Sequence, residues 1–96
     1  MSTGPGPGQA QGTRLLLTLY SRGYCHLCHE MHAALERLAG PCGFDLDVLD
    51  VGADPLLEAR FNELVPVLMH GETELARYRL DEAALAAYLR GAVGQP

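Results

Sequence analysis

The apolar residues of this chain change their spacing from one segment to the next. A short apolar run from Leu15 to Tyr20 predicts a strand buried on both faces. From Cys25 onward, apolar side chains recur every three or four residues, which is the spacing of one helical stripe. The members of this stripe are Leu27, Met31, Ala34, Leu35 and Leu38. We expect Gly40-Pro41 to end the helix, because glycine is favoured just past a helix end and proline cannot continue one.

The middle of the chain predicts a second strand and a second helix. Apolar residues alternate with aspartates from Phe44 onward, and this strand is expected to reach Val51. Asp54-Pro55 then predicts a helix start, because an aspartate caps free amide groups and proline is tolerated in the first turn. This helix is expected to continue to Asn62.

The last third of the chain predicts a pair of strands joined by a turn. Val65–Met69 is expected to form the third strand, with Pro66 at or near its first residue. His70-Gly71-Glu72 is expected to turn the chain into a fourth strand over residues 75–80.

Asp81 is predicted to cap a final helix that ends at Gly91, with Leu80 and Leu85 placed for a hydrophobic staple. The element order is then β-α-β-α-β-β-α. The first β-α-β unit requires parallel strands and a right-handed crossover, and the hairpin adds antiparallel neighbours. We therefore predict an α/β fold in which a four-stranded mixed sheet carries helices on both faces.

The chain length of 96 residues indicates one small domain, which we place at residues 13–91. Residues 1–12 consist mainly of Gly, Pro, Gln and Ser without a large apolar side chain, so they are expected to form a disordered tail. Residues 92–96 are expected to be a flexible C-terminus.

Charge and apolar patterning restrict the partners that this protein is expected to have. Seven basic and twelve acidic residues give a net charge of −5, which argues against nucleic-acid binding and against a polybasic membrane patch. No apolar run approaches the roughly 20 residues of a transmembrane helix. The N-terminus also lacks the basic and apolar regions of a secretory signal. We expect a cytoplasmic monomer.

Three cysteines, two of them in Cys25-His26-Leu27-Cys28, carry the strongest chemical signal in the sequence. An odd count with one close pair favours redox or metal chemistry over a secreted disulfide scaffold. Cys25 falls where a strand passes into a helix, so free amides and the positive end of the helix dipole favour its thiolate. Arg22, His26 and His29 are candidates for nearby positive charge. We predict that Cys25 attacks and that Cys28, one turn along the helix, resolves.

Other interpretations of this motif remain open at this stage. The two cysteines can be small buried residues without chemistry. The sequence from Cys25 to His29 also matches the C-x-x-C-H pattern of covalent haem attachment, with Met31 or Met69 as a soft ligand. Alternating strands do not suit a small haem-binding helical fold, which argues against this alternative.

A zinc site would use Cys25 and Cys28 with His29 or His32, and Cys42 as a fourth ligand. Zinc sites normally present two ligand pairs, and Cys42 has no partner at short spacing. We expect no metal, a free thiol at Cys42 in a loop beyond the first helix, and solvated side chains at both histidines.

Pro66 is the second informative position. A proline that opens a strand can be an edge feature. It can also form a cis bond with Val65 that turns the chain beside the thiols and leaves backbone groups free to pair with an extended substrate.

These residues resemble the glutaredoxin-like members of the thioredoxin-fold superfamily. The resemblance rests on the segment from Tyr20 to Cys28 and on Val65-Pro66-Val67, and it covers residues 14–90. It implies that Cys25 is the nucleophile, that Cys28 resolves and that Pro66 is a cis-proline facing them. It also implies that Arg22 holds the carboxylate of glutathione.

The chain departs from typical glutaredoxins at three places. His26-Leu27 stands where they carry Pro-Tyr, and Leu64 stands where they carry Thr. Arg77-Tyr78 stands where they carry the two glycines that let the glutathione backbone approach closely.

We therefore predict a thiol–disulfide oxidoreductase with Cys25 and Cys28 as catalytic residues. The substrate-binding candidates are Arg22, Tyr24, His26, Val65 and Pro66. No cofactor is required, since glutathione or a reductase supplies electrons for a protein or small disulfide. The alternative is a non-enzymatic binding or redox-sensing module with the same fold.

Overall fold

The computed structural model describes residues 14–93, which form four strands and three helices. In chain order these are β1 (Leu15–Ser21), α1 (His26–Cys42), β2 (Phe44–Asp50), α2 (Pro55–Phe61), β3 (Val67–His70), β4 (Thr73–Arg77) and α3 (Glu82–Val93). Single turns of 3-10 helix lie on either side of α2, at Val51–Ala53 and Asn62–Leu64. The tail expected at 1–12 lies outside the described residues, as do residues 94–96 of the C-terminus expected at 92–96. Residues 92–93 belong to α3.

The four strands form one mixed sheet in the order β2-β1-β3-β4. β1 and β2 are parallel, with Leu15 opposite Phe44, and β3 is antiparallel to both of its neighbours. This is the predicted β-α-β-α-β-β-α topology. Because β1 and β2 are parallel, the segments that follow both strands leave the sheet at the same edge.

Two apolar clusters hold the helices on the two faces of the sheet. The larger cluster joins Leu17 and Leu19 of β1 to Leu35 of α1 and to Leu85 and Leu89 of α3. The smaller cluster contains Val67 and Met69 of β3, Phe61 of α2 and Cys28. The predicted helical layers on both faces are thereby confirmed.

β1 is less buried than its apolar sequence predicts. Leu17 and Leu19 are fully buried, but Leu16, which faces the opposite side of the sheet, is 54% exposed. The expectation of burial on both faces is therefore wrong for this strand. On that face, Phe61 of the seven-residue α2 stacks on Tyr20, with ring centroids 4.2 Å apart, at the other end of the strand from Leu16.

The first helix also ends later than predicted. Pro41 lies inside α1, and the helix stops at Gly43, whose φ of 75° is the left-handed conformation that glycine adopts readily. The amide of Gly43 donates to the carbonyl oxygens of Ala39, at 2.9 Å, and Gly40, at 3.3 Å. Proline is tolerated here because it removes a single hydrogen bond from the last turn. Cys42 is consequently the last residue of α1 and packs against the larger cluster, whereas a loop position was predicted.

The strand boundaries around the hairpin differ from the prediction as well. β3 begins after Pro66, and β4 covers Thr73–Arg77 where residues 75–80 were predicted. Tyr78 ends β4 because its φ of 69° lies outside the strand conformation. His70 is the last residue of β3, and its Nδ1 lies 2.6 Å from the hydroxyl oxygen of Tyr88 on α3, so it is not merely a turn residue.

The two predicted aspartate caps are present. Oδ1 of Asp54 accepts a hydrogen bond from the amide of Leu56 at 2.9 Å, and Oδ1 of Asp81 accepts one from the amide of Ala84 at 3.0 Å. α3 continues two residues past Gly91 to Val93. No helix within residues 14–93 is both long and apolar enough to cross a membrane.

Candidate redox site at the start of the first helix

Cys25 occupies the N-cap position of α1. Its backbone is extended, and its Sγ accepts a hydrogen bond from the amide of Cys28 at 3.1 Å. Its amide in turn donates to the carbonyl oxygen of Arg22 at 3.2 Å, which fixes the loop between β1 and the helix. The sulfur of Cys25 therefore lies at the end of the helix where amide hydrogens are exposed.

A disulfide bond joins Cys25 to Cys28, and their Cα atoms are 5.1 Å apart. The two sulfur-bearing residues differ in access. Cys28 is 1% exposed and belongs to the smaller cluster, whereas Cys25 is only partly buried at the edge of that cluster. An incoming thiol or disulfide therefore reaches Cys25 before Cys28.

The loop before β3 packs beside this pair. Val65 belongs to the same cluster as Cys28, and Pro66 is fully buried. The Val65–Pro66 peptide bond is cis, which is one of the two arrangements that the sequence left open. The carbonyl oxygen of Pro66 accepts a hydrogen bond from the amide of Tyr78 at 2.9 Å, so this loop is joined to the end of β4.

The side chain of Arg22 is directed toward α2. Nη1 lies 3.2 Å from Oε2 of Glu58, and Nη2 donates to the carbonyl oxygen of Asn62 at 3.2 Å. Arg22 therefore supports the site through its backbone carbonyl, while its guanidinium connects the loop before Cys25 to the second helix. Its predicted role as a glutathione ligand stays a prediction, and a substrate carboxylate would have to compete with Glu58.

Tyr24 and His26 flank Cys25 and both project into solvent. Tyr24 is fully exposed. Nε2 of His26 lies 3.0 Å from Oε2 of Glu30, one turn along α1, with 84% of the histidine side chain exposed. Both side chains are accessible to a docking partner, and their predicted roles in substrate binding stay predictions.

A cavity of about 240 Å³ lies between α1, from Leu27 of the motif onward, and the segment that joins β4 to α3. Its apolar lining comes from Leu27, Met31, Ala34, Tyr78 and Leu80. Glu30, Arg79 and Glu82 supply the charged lining. Sequence reasoning missed this cavity, because its two walls are about 50 residues apart in the chain.

The zinc site considered from the sequence requires Cys25, Cys28 and Cys42 to lie close together. Cys25 and Cys28 are bonded to each other, and Cys42 lies at the opposite end of the 17-residue α1. Across residues 14–93, no group of three or more His, Cys, Asp or Glu side chains is placed to hold a metal ion.

The sequence from residue 16 to residue 90 matches the model of the glutaredoxin-like domain family (DUF836). The chain belongs to this family. The match includes all of the described strands and helices except Leu15 of β1 and the last three residues of α3, and it includes both cysteines of the motif.

Solved structures agree with this assignment. Protein Ne2328 from Nitrosomonas europaea is 33% identical, with a TM-score of 0.66, and the match covers 92% of this chain and 98% of that one. Protein XcR50 from X. campestris is also 33% identical, with a TM-score of 0.61 and coverage of 79% and 97%. A mutant thioredoxin from Halobacterium salinarum is 20% identical, with a TM-score of 0.63 and coverage of 85% and 77%, which shows the shared thioredoxin fold. No curated protein matches the chain.

Proposed function

We propose that this glutaredoxin-like protein is a thiol–disulfide oxidoreductase that works through Cys25 and Cys28. The observation that carries the proposal is the disulfide between these residues, which joins a partly exposed sulfur at the helix start to a buried one. This arrangement supplies an attacking thiol with access to the surface and a resolving thiol that a large substrate cannot reach directly.

The position of Cys25 favours its thiolate once the disulfide is reduced. The amide of Cys28 donates to this sulfur, and α1 directs the positive end of its dipole at it. Both effects stabilise the charged form, so we expect a pKa for Cys25 below the value of about 8.5 for a free cysteine. The thiolate is the form that attacks a disulfide.

The proposed cycle moves two electrons from the dithiol to a substrate disulfide. The Cys25 thiolate attacks one substrate sulfur, forms a mixed disulfide and releases the other substrate sulfur as a thiolate, which takes up a proton. Cys28, after losing its proton, attacks Sγ of Cys25, forms the Cys25–Cys28 disulfide and releases the second substrate thiol. The structure contains this oxidised state of the pair.

A thiol donor then restores the reduced pair. Glutathione or a dithiol reductase supplies the two electrons, so the cycle needs neither a metal nor an organic cofactor held by this chain. The same proposal assigns the protein to the cytoplasm, where thiols are kept reduced. The electron donor and the disulfide substrate are the partners required for turnover.

Turnover of hydroxyethyl disulfide with a thiol donor tests this proposal. We expect Cys25→Ser to lower the rate by at least about a thousand-fold, because the nucleophile is removed. Cys42→Ser is the matched control and should keep the wild-type rate, since Cys42 lies at the far end of α1. Wild-type protein that fails to turn over with glutathione and with a dithiol donor would contradict the proposal and leave a binding or redox-sensing module.

A further inference from the structure

Arg22 contacts both of the segments that lead to the redox site. Its carbonyl oxygen accepts the amide of Cys25 at 3.2 Å, in the loop between β1 and α1. Its Nη2 donates to the carbonyl oxygen of Asn62 at 3.2 Å, in the segment between α2 and the cis-proline. Arg22 is three residues before Cys25, and Asn62 is three residues before Val65. One side chain therefore sets the distance between the two segments.

Glu58 holds the other side of the guanidinium. Its Oε2 lies 3.2 Å from Nη1 of Arg22, and its carbonyl oxygen accepts the amide of Asn62. The pair is largely accessible to solvent, and such pairs contribute little to the free energy of unfolding. Its main effect is therefore to fix where the guanidinium lies relative to the end of α2.

Asn62 is the residue at which the chain leaves α2. Its φ of 36° lies in the left-handed region, which residues with a side chain rarely adopt. Its carbonyl oxygen is at a helix end, where carbonyl groups lack partners within the helix, and Arg22 supplies the donor. The guanidinium thus stabilises the backbone conformation from which residues 63–66 continue toward the disulfide.

This segment packs against the sulfur pair. Val65 is buried in the smaller cluster together with Cys28, and Cys25 packs against the edge of the same cluster. Exchange requires the attacking, central and leaving sulfurs to be aligned, and a displacement of about 1 Å at a reacting group lowers a rate by up to about a hundred-fold. The position of Val65 therefore bears on the rate of exchange.

A second arginine makes the same pattern of contacts far from the disulfide. At the other end of β1, Nε of Arg14 lies 3.0 Å from Oδ1 of Asp45, and Nη2 donates to the carbonyl oxygen of Phe44 at 2.6 Å. Each arginine thus binds one carboxylate and one main-chain carbonyl oxygen. Arg14 joins two neighbouring strands, whereas Arg22 joins two segments that meet at the redox site.

We propose that Arg22 is a positioning residue for thiol–disulfide exchange, which holds residues 62–66 against the Cys25–Cys28 pair. The inference rests on the proposed redox function. Bonds and electrons move as in the cycle described above, and Arg22 gains or loses neither a proton nor a bond in it. Its guanidinium is occupied by Glu58 and Asn62, so it acts through these contacts and not as a ligand of the substrate.

A charge-neutral double substitution removes the contacts of this guanidinium. In Arg22→Gln/Glu58→Gln, the glutamine at residue 22 is too short to keep the contact with Asn62. One positive and one negative charge are lost together, so the electrostatic potential at Cys25 changes little. Arg14→Gln/Asp45→Asn is the matched control, because it makes the equivalent change at the far end of β1.

Two rates measured on the reduced proteins separate positioning from stabilisation of the thiolate. The first is oxidation of the pair by hydroxyethyl disulfide, and the second is alkylation of Cys25 by iodoacetamide as a function of pH, which needs no alignment of three sulfurs. We expect Arg22→Gln/Glu58→Gln to lower the first rate about ten-fold and to leave the pH midpoint of the second unchanged. The control should keep the wild-type values of both. Circular dichroism checks that every variant is folded.

Glu58→Gln alone tests whether Arg22 is instead a ligand for a substrate carboxylate. This substitution removes the charge that competes for the guanidinium, so such a ligand would raise the rate with glutathione disulfide relative to hydroxyethyl disulfide. For a positioning residue, we expect the ratio of the two rates to stay within about two-fold of the wild-type ratio. A larger rise would overturn the inference.

Three further outcomes overturn the inference and leave the redox function intact. One is a wild-type oxidation rate in Arg22→Gln/Glu58→Gln. Another is an equal loss of rate in Arg14→Gln/Asp45→Asn, which would assign the effect to general loosening of the fold. The third is a shift of the alkylation midpoint to higher pH, which would assign it to the thiolate. Failure of the wild type and of the control to react with hydroxyethyl disulfide would instead contradict the proposed function itself.

Discussion

The two ends of α1 carry cysteines in opposite settings. At the start of the helix, Sγ of Cys25 accepts the amide of Cys28 and lies at the edge of the smaller cluster. At the other end, Cys42 packs against the larger cluster, and the free carbonyl groups there are satisfied by the amide of Gly43. The sulfur of Cys25 thus accepts a hydrogen bond from an amide at the start of α1, whereas Cys42 packs against apolar side chains at its end.

This contrast indicates that the position of a cysteine in the helix determines whether its thiol is suited to react as a thiolate. A thiolate needs donors and access to a partner, and the N-terminal end supplies both. Cys42 is half-buried at an end where carbonyl oxygens, rather than amides, are directed outward. We assign it a packing role.

Competitive alkylation gives the largest expected difference between the two ends. In reduced protein at pH 7, iodoacetamide should modify Cys25 at least about ten-fold faster than Cys42, because the alkylation rate follows the thiolate fraction and access. Peptide mass spectrometry of a partly modified sample measures both rates together. Equal alkylation rates at the two cysteines would contradict the claim that the start of α1 makes Cys25 more reactive than Cys42.

Replacing His26 tests a smaller contribution to the stability of the Cys25 thiolate. His26→Pro removes a side chain that favours the thiolate when protonated, and proline is tolerated at the first helical position. The lost group is highly exposed and paired with Glu30, so we expect the potential of the Cys25–Cys28 couple to become more negative by only about 5–20 mV.

Equilibration of wild type and His26→Pro against a glutathione redox buffer measures this shift. His26→Ala is the control that removes the imidazole without the ring constraint of proline. An unchanged or less negative potential in His26→Pro would show that this histidine does not favour the reduced pair.

The sequence predicted the start of α1 and the chemistry located there because both depend on local pattern. The apolar stripe begins at Leu27, and Cys25 precedes it at the cap. The end of α1 was predicted three residues early, since Gly40-Pro41 is an ordinary stop signal. Gly43 is the residue that satisfies the last carbonyl groups, and the pattern did not distinguish the two glycines.

Contacts between distant parts of the chain account for what sequence reasoning missed. Arg22 and Glu58 are 36 residues apart, and the sequence contains several other carboxylates as possible partners for this arginine. The left-handed backbone at Tyr78 is equally hidden, because tyrosine rarely adopts it. Because the contact with Glu58 was not predicted, the resemblance to glutaredoxins implied that Arg22 binds glutathione. Because the backbone conformation of Tyr78 was not predicted, the cavity beside Leu27 was missed.

Trapping of the mixed disulfide tests the central claim most directly. Cys28→Ser lacks the resolving sulfur, so reaction of its Cys25 thiolate with a peptide disulfide should stop at a stable adduct. We predict that mass spectrometry of the digested protein finds one peptide bonded to Cys25. A digest with the adduct on Cys42, or no adduct under conditions in which dithiothreitol reduces the same peptide, would contradict the account.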